Sequence, residues 1–87
     1  MKIIWDEPKR QANIEKHGLD FADVVFFNWE SAVIEPARPD STGRRRMKAV
    51  GYFDNGIAVV IFATLGTEAM SIVSIRPAST RERKVLR

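Results

Sequence analysis

The chain contains no cysteine, which excludes disulfides, thiolate metal ligands and a cysteine nucleophile, and suits a reducing compartment. Histidine occurs once, so no His pair can bind zinc, and the carboxylates are scattered singly rather than clustered. The five glycines form no phosphate-cradling loop, and no serine sits in a nucleophile motif. Metalloenzymes and nucleotide-cofactor enzymes are therefore disfavoured, and no cofactor is expected. The longest apolar run, Ile57 to Ala63, is far too short to span a bilayer. The opening MKIIWDEPKR turns acidic within seven residues and lacks a signal-peptide apolar region. A cytoplasmic protein is expected, and neither internal repeats nor low-complexity tracts are visible.

What remains is a folded-domain composition, 45% hydrophobic and 29% charged over 87 residues, enough for a single domain spanning 1–87. The net charge of +3 is unevenly placed. Residues 1–37 carry four Lys/Arg against seven Asp/Glu, whereas residues 38–87 carry ten against four. The basic second half fits an anionic partner such as nucleic acid or an acidic protein surface, or else an ordinary solvated face.

Element signals run along the whole chain. Lys2 to Trp5 suits a strand, and Asp6 caps a helix in which Glu7 and Pro8 favour the first turn and Gly18 ends it after His17. Asp20 reads as the cap of a second helix, with Phe21, Val24, Val25 and Asn28 as its buried stripe and Phe26 and Phe27 broadening it. Ser31 to Glu35 reads as a strand closed by Pro36 and Pro39, and Ala37 to Arg45 as a loop. Arg46 to Phe53 alternates as a strand, Asp54-Asn55-Gly56 signals a hairpin, Ile57 to Leu65 reads as a central strand and Glu68 to Arg76 as the last. Ser79 to Glu82 matches a capping box that starts a short final helix. The expected class is α+β: a strand, two N-terminal helices, an antiparallel meander and a short C-terminal helix.

Three basic groupings could carry chemistry. Lys9, Asn13 and the Lys16-His17 pair share one helix face. His17 is either a helix-end residue favouring the dipole or an acid–base group, since free imidazole titrates near ~6.5. Arg44, Arg45, Arg46 and Lys48 enter a strand from the loop, with Tyr52 on the face of Arg46 and Lys48; its ring could stack on a base or simply pack. Arg76, Arg81, Arg83, Lys84 and Arg87 form the third group, offset only by Glu82. Arg76 is the best placed, at a strand end beside a rigid proline. RNA cleavage without metal needs a proton acceptor, a proton donor and cations opposite the phosphorane, all of which these residue types supply.

Trp5-Asp6-Glu7-Pro8-Lys9, Asn13, Lys16-His17-Gly18 with Phe21 and Ala22, Arg45 or Arg46 with Gly51, and Ile72-Val73-Ser74-Ile75-Arg76-Pro77-Ala78 followed by Arg81-Glu82-Arg83 together resemble the BrnT toxin family over almost the whole chain. The resemblance implies a RelE-like fold, a ribonuclease that stops translation, and a co-expressed BrnA antitoxin forming a 2:2 heterotetramer and carrying the DNA-binding part. Lys9, Asn13, Lys16, His17, Arg46, Ser74, Arg76, Arg81, Glu82 and Arg83 match the motif. Lys16, His17, Arg46 and Arg76 are the candidate catalytic residues; Lys9, Asn13, Arg44, Arg45, Lys48, Tyr52, Arg81 and Arg83 are the candidate RNA-binding ones. A non-catalytic binding module using the same basic surface is the competing reading. A DNA-binding regulator is a weaker third, for want of a recognition helix.

Overall fold

The structure, a computed structural model, describes residues 2–39, 43 and 45–86. Five strands, β1 (Lys2–Trp5), β2 (Val33–Ala37), β3 (Arg46–Phe53), β4 (Gly56–Leu65) and β5 (Ala69–Pro77), form one sheet in the order β1-β5-β4-β3-β2. Helix α1 (Glu7–His17) and a six-residue 3-10 helix (Phe21–Phe26) lie between β1 and β2. A short helix α2 (Thr80–Arg83) runs into a 3-10 turn, Lys84–Leu86, at the end.

The β2-β3-β4-β5 run is the expected antiparallel meander, but β1 pairs in parallel with β5, placing Lys2 beside Ala69 and Trp5 beside Ile72. The sheet is therefore mixed, with the N-terminal strand on its edge beside β5. Pro36 lies inside β2 rather than closing it; an edge strand tolerates a residue without an N–H. The Asp54-Asn55 turn has φ of 48° and 63°, the left-handed pair that a tight hairpin requires.

The second expected α-helix is instead a 3-10 helix capped by Asp20, whose side chain accepts from the Ala22 N–H. Its buried residues are Phe21 and Val24, followed by Phe27 just beyond the helix, a spacing of three that matches three residues per turn. Val25 and Phe26, expected in the buried stripe, are exposed, as is Asn28. Six residues that include adjacent β-branched valines hold an α-helix poorly. The tighter turn also delivers the Asn28 N–H to the Tyr52 carbonyl on β3 at 3.0 Å.

Phe21, Val24 and Phe27 pack on one sheet face with Ala49, Ala58, Val60, Phe62, Ile72 and Ile75, and Trp5 and Trp29 border this core. Ile72 and Ile75 are three apart, so in a regular strand they would point to opposite faces. A bulge resolves this: Ile61 pairs with Ser74 while Phe62 pairs with Ile72, leaving Val73 as the extra residue. The opposite face carries Arg46, Lys48, Val50 and Tyr52 of β3, Val59 and Ile61 of β4, and Ser74 and Arg76 of β5.

Candidate active site

Helix α1 begins as its sequence dictates, with the Asp6 carboxylate accepting from the Lys9 N–H at 3.2 Å, and ends at Gly18 with φ of 70°. Its attachment to the sheet is unusual. Only Asn13 among its residues is buried, at 8% exposure. β1 stops opposite Ile72, so the edge of β5 beyond it lacks a strand partner. Asn13 supplies one: Oδ1 accepts from the Ile75 N–H at 3.2 Å and Nδ2 donates to the Ile75 carbonyl at 2.8 Å. The carboxamide thus stands in for a peptide unit of a neighbouring strand. Nδ2 also donates to the Leu19 carbonyl at 2.8 Å, and the Ser74 hydroxyl donates to Oδ1 at 3.4 Å.

This clamp fixes the face of α1 that bears Lys9, Asn13, Lys16 and His17 against the bulged part of β5. The result is an open cleft of about 360 Å³ lined by those four residues, Ala12, Val73, Ser74 and Arg46. Lys9 and Lys16 are exposed, and His17 and Arg46 are half-buried. Three cationic side chains and an imidazole converge here, and the lining includes no carboxylate among the described residues. Such a grouping of cations favours an anion such as a phosphate. Among the described residues no group of three His, Asp or Glu side chains comes together as a metal site would need.

Arg76 lies on the same sheet face as Ser74, two residues further along β5. Its guanidinium grips Glu82 through two bonds of 2.8 Å. Glu82 also accepts from the Ser79 N–H at 2.9 Å and pairs with Lys48 at 2.8 Å. Its side chain is 12% exposed, and the Arg76 bonds hold its carboxyl well below the usual carboxylate range, with Lys48 and Ser79 adding to the effect. The same pairing raises Arg76. Lys48 has a second, longer contact with Glu35 at 3.8 Å. The capping-box glutamate is thus the hub joining the terminal helix to the sheet, and sequence reading identified only its cap.

The remaining candidates are dispersed. The Tyr52 hydroxyl donates to the Leu86 carbonyl at 3.4 Å. Arg81 and Arg83 are exposed on α2, and Arg83 lines a different cleft, with Tyr52 and Phe26. Arg45 is exposed just before β3, and Arg44 lies outside the described residues. Sequence reading missed Ala12 and Val73 as lining residues; the bulge that turns Val73 into the cleft leaves no local signature.

No helix among the described residues is long and apolar enough to cross a membrane. Comparison with curated proteins finds no match. Among solved structures, the ribonuclease toxin BrnT of Brucella abortus is 52% identical, aligning over 92% of this chain and 99% of its own with a TM-score of 0.75. The family described as the ribonuclease toxin BrnT of type II toxin–antitoxin systems matches residues 5–82. A match of that extent, together with the shared fold, places this chain in the BrnT family of ribonuclease toxins.

Proposed function

We propose that this chain is a metal-independent endoribonuclease toxin that stops translation in the cytoplasm, has a RelE-like fold, and is neutralised by a BrnA-type antitoxin in a 2:2 complex. The observation supporting the catalytic part is the convergence of Lys16 and His17 from α1 with Arg46 from β3 in one cleft. Transesterification requires the RNA 2′-hydroxyl to lose its proton as its oxygen attacks phosphorus. The P–O5′ bond breaks and the 5′-oxygen takes up a proton, leaving a 2′,3′-cyclic phosphate. His17 accepts the proton of the 2′-hydroxyl, water protonates the departing 5′-oxygen, and Lys16 and Arg46 offset the charge of the phosphorane. Lys9 holds a neighbouring phosphate, and Arg76, Lys48 and the exposed Arg45 and Arg81 extend the cationic face along the RNA.

Asn13 acts one step removed from RNA: its amide is occupied by Ile75, Leu19 and Ser74, so it holds α1 at the right distance. The test is RNA cleavage by Arg46→Ala and Arg76→Ala proteins, each shown to be folded at the assay temperature, since Arg76→Ala also removes the Glu82 pair. Arg46→Ala should lose about 10²–10³-fold in rate, the usual effect of removing one donor to a developing anion. Undiminished cleavage by both variants would overturn the site assignment.

A further inference from the structure

The 3-10 helix buries Phe21 and Val24 completely yet turns Val25 and Phe26 outward, at 64% and 74% exposure. Two open clefts flank Phe26. One, of about 580 Å³, is lined by Tyr52, Phe53, Ile57, Asp54 and Arg83 among others. The other, of about 520 Å³, is lined by Gly18, Leu19, Asp23, Phe53 and Asp54. Neither shares a residue with the cleft of Lys16, His17 and Arg46.

An exposed aromatic ridge between two partly apolar clefts suits the anchor of a protein interface. The charges around it select the partner. Asp23 is common to the ridge's helix and the second cleft, and Asp54 lines both; neither carboxylate has an ion-pair partner among the described residues. Acidic groups beside the ridge oppose nucleic-acid phosphates and favour Lys or Arg. Asp23 lies on the 3-10 helix and Asp54 at the β3–β4 hairpin, and Arg83 at the rim of the first cleft is the one basic side chain in either lining among the described residues.

We infer that the Phe26 ridge with its Asp23- and Asp54-lined clefts is the surface that docks the antitoxin, through a segment presenting apolar side chains flanked by Lys or Arg. This rests on the toxin–antitoxin reading above. Docking there leaves the cleft of Lys16, His17 and Arg46 uncovered by the anchoring contact itself, so neutralisation requires either additional antitoxin reach or exclusion of the bulky RNA target.

The test co-expresses the chain with the antitoxin encoded in its operon, comparing wild type, Phe26→Ser and Asp23→Lys/Asp54→Lys. Antitoxin affinity and RNA cleavage by the free toxin are measured on each. Expected is at least roughly tenfold weaker antitoxin binding in both variants, with melting temperature and cleavage of RNA by the free Phe26→Ser toxin unchanged. Undiminished antitoxin binding by Phe26→Ser overturns the docking surface while leaving the ribonuclease reading intact. Weaker RNA cleavage with normal antitoxin binding would make the ridge an RNA contact, and loss of a self-associated species with normal antitoxin binding would make it a contact between copies; either overturns the inference. A wild-type toxin that cleaves RNA but forms no antitoxin complex overturns it as well, together with the partner part of the function. A wild type that forms the complex but cleaves no RNA removes the ribonuclease reading alone.

Discussion

Asn13 uses both N–H groups and both lone-pair directions of its carboxamide within the protein. Its neighbours depend on it, because the Ile75 N–H and carbonyl face a strand edge with no other partner. Asn13→Ala leaves those backbone groups unsatisfied in a buried setting and is expected to cost about 2–4 kcal/mol, read as a lower denaturation midpoint. Asn13→Asp should be no better, since a carboxylate cannot donate to the carbonyls of Leu19 and Ile75. Sequence placed Asn13 on the same helix face as Lys9 and Lys16 but gave it an RNA contact; a polar residue at that spacing carries no mark of the strand edge it completes.

Glu82 makes the other decisive residue-scale contribution. Its carboxyl is held below its ordinary value of 4.5, first by Arg76. A lowered folded-state value means the ion pair's contribution is fully present above the unfolded value and fades as pH falls below about 4.5 toward the lowered one. Glu82→Gln removes that contribution at neutral pH and should flatten the dependence of stability on pH below about 4.5. Denaturant midpoints of both proteins at pH 7 and pH 3 check this: the gap between wild type and variant should narrow in acid, and a constant gap would exclude the linkage.

At the scale of elements, local signals were strongest where local chemistry decides the structure. The Asp6 cap and the left-handed Gly18 bound α1, the Arg46–Phe53 strand lies where its alternation put it, and the Ser79–Glu82 capping box forms with both reciprocal bonds. The departures have a common origin in long-range packing. No local pattern ties Lys2–Trp5 to residues 69–72, and nothing near Val73 announces a bulge. The 3-10 helix is set by what it must fit. Phe27 presses its ring against Gly51 on β3 and meets Trp29 edge-on at 4.8 Å between ring centres. A Cβ at Gly51 would lie 2.6 Å from Phe27 Cζ, so Gly51→Ala forces the ring or the strand to move. A loss of about 1–3 kcal/mol is expected from such overpacking, measurable by thermal melting. An unchanged melting temperature would mean the 3-10 segment is free to retreat.

For the whole molecule, charge asymmetry becomes spatial. The basic second half contributes Arg46 to the cleft and Lys48 and Arg76 to the adjoining sheet face, while the first half adds Lys9, Lys16 and His17 through α1. The fold class and the identity of most cleft residues were legible from sequence; their assembly was not, because it depends on the parallel closure of β1 on β5 and on the Asn13 clamp. The most direct measurement is the chemistry of the RNA ends made by the purified chain in excess EDTA. Expected are fragments ending in 2′,3′-cyclic phosphate and beginning with 5′-hydroxyl, formed as fast as in magnesium; cleavage that requires a divalent cation, or that yields 3′-hydroxyl and 5′-phosphate ends, would contradict a metal-independent site built on Lys16, His17 and Arg46.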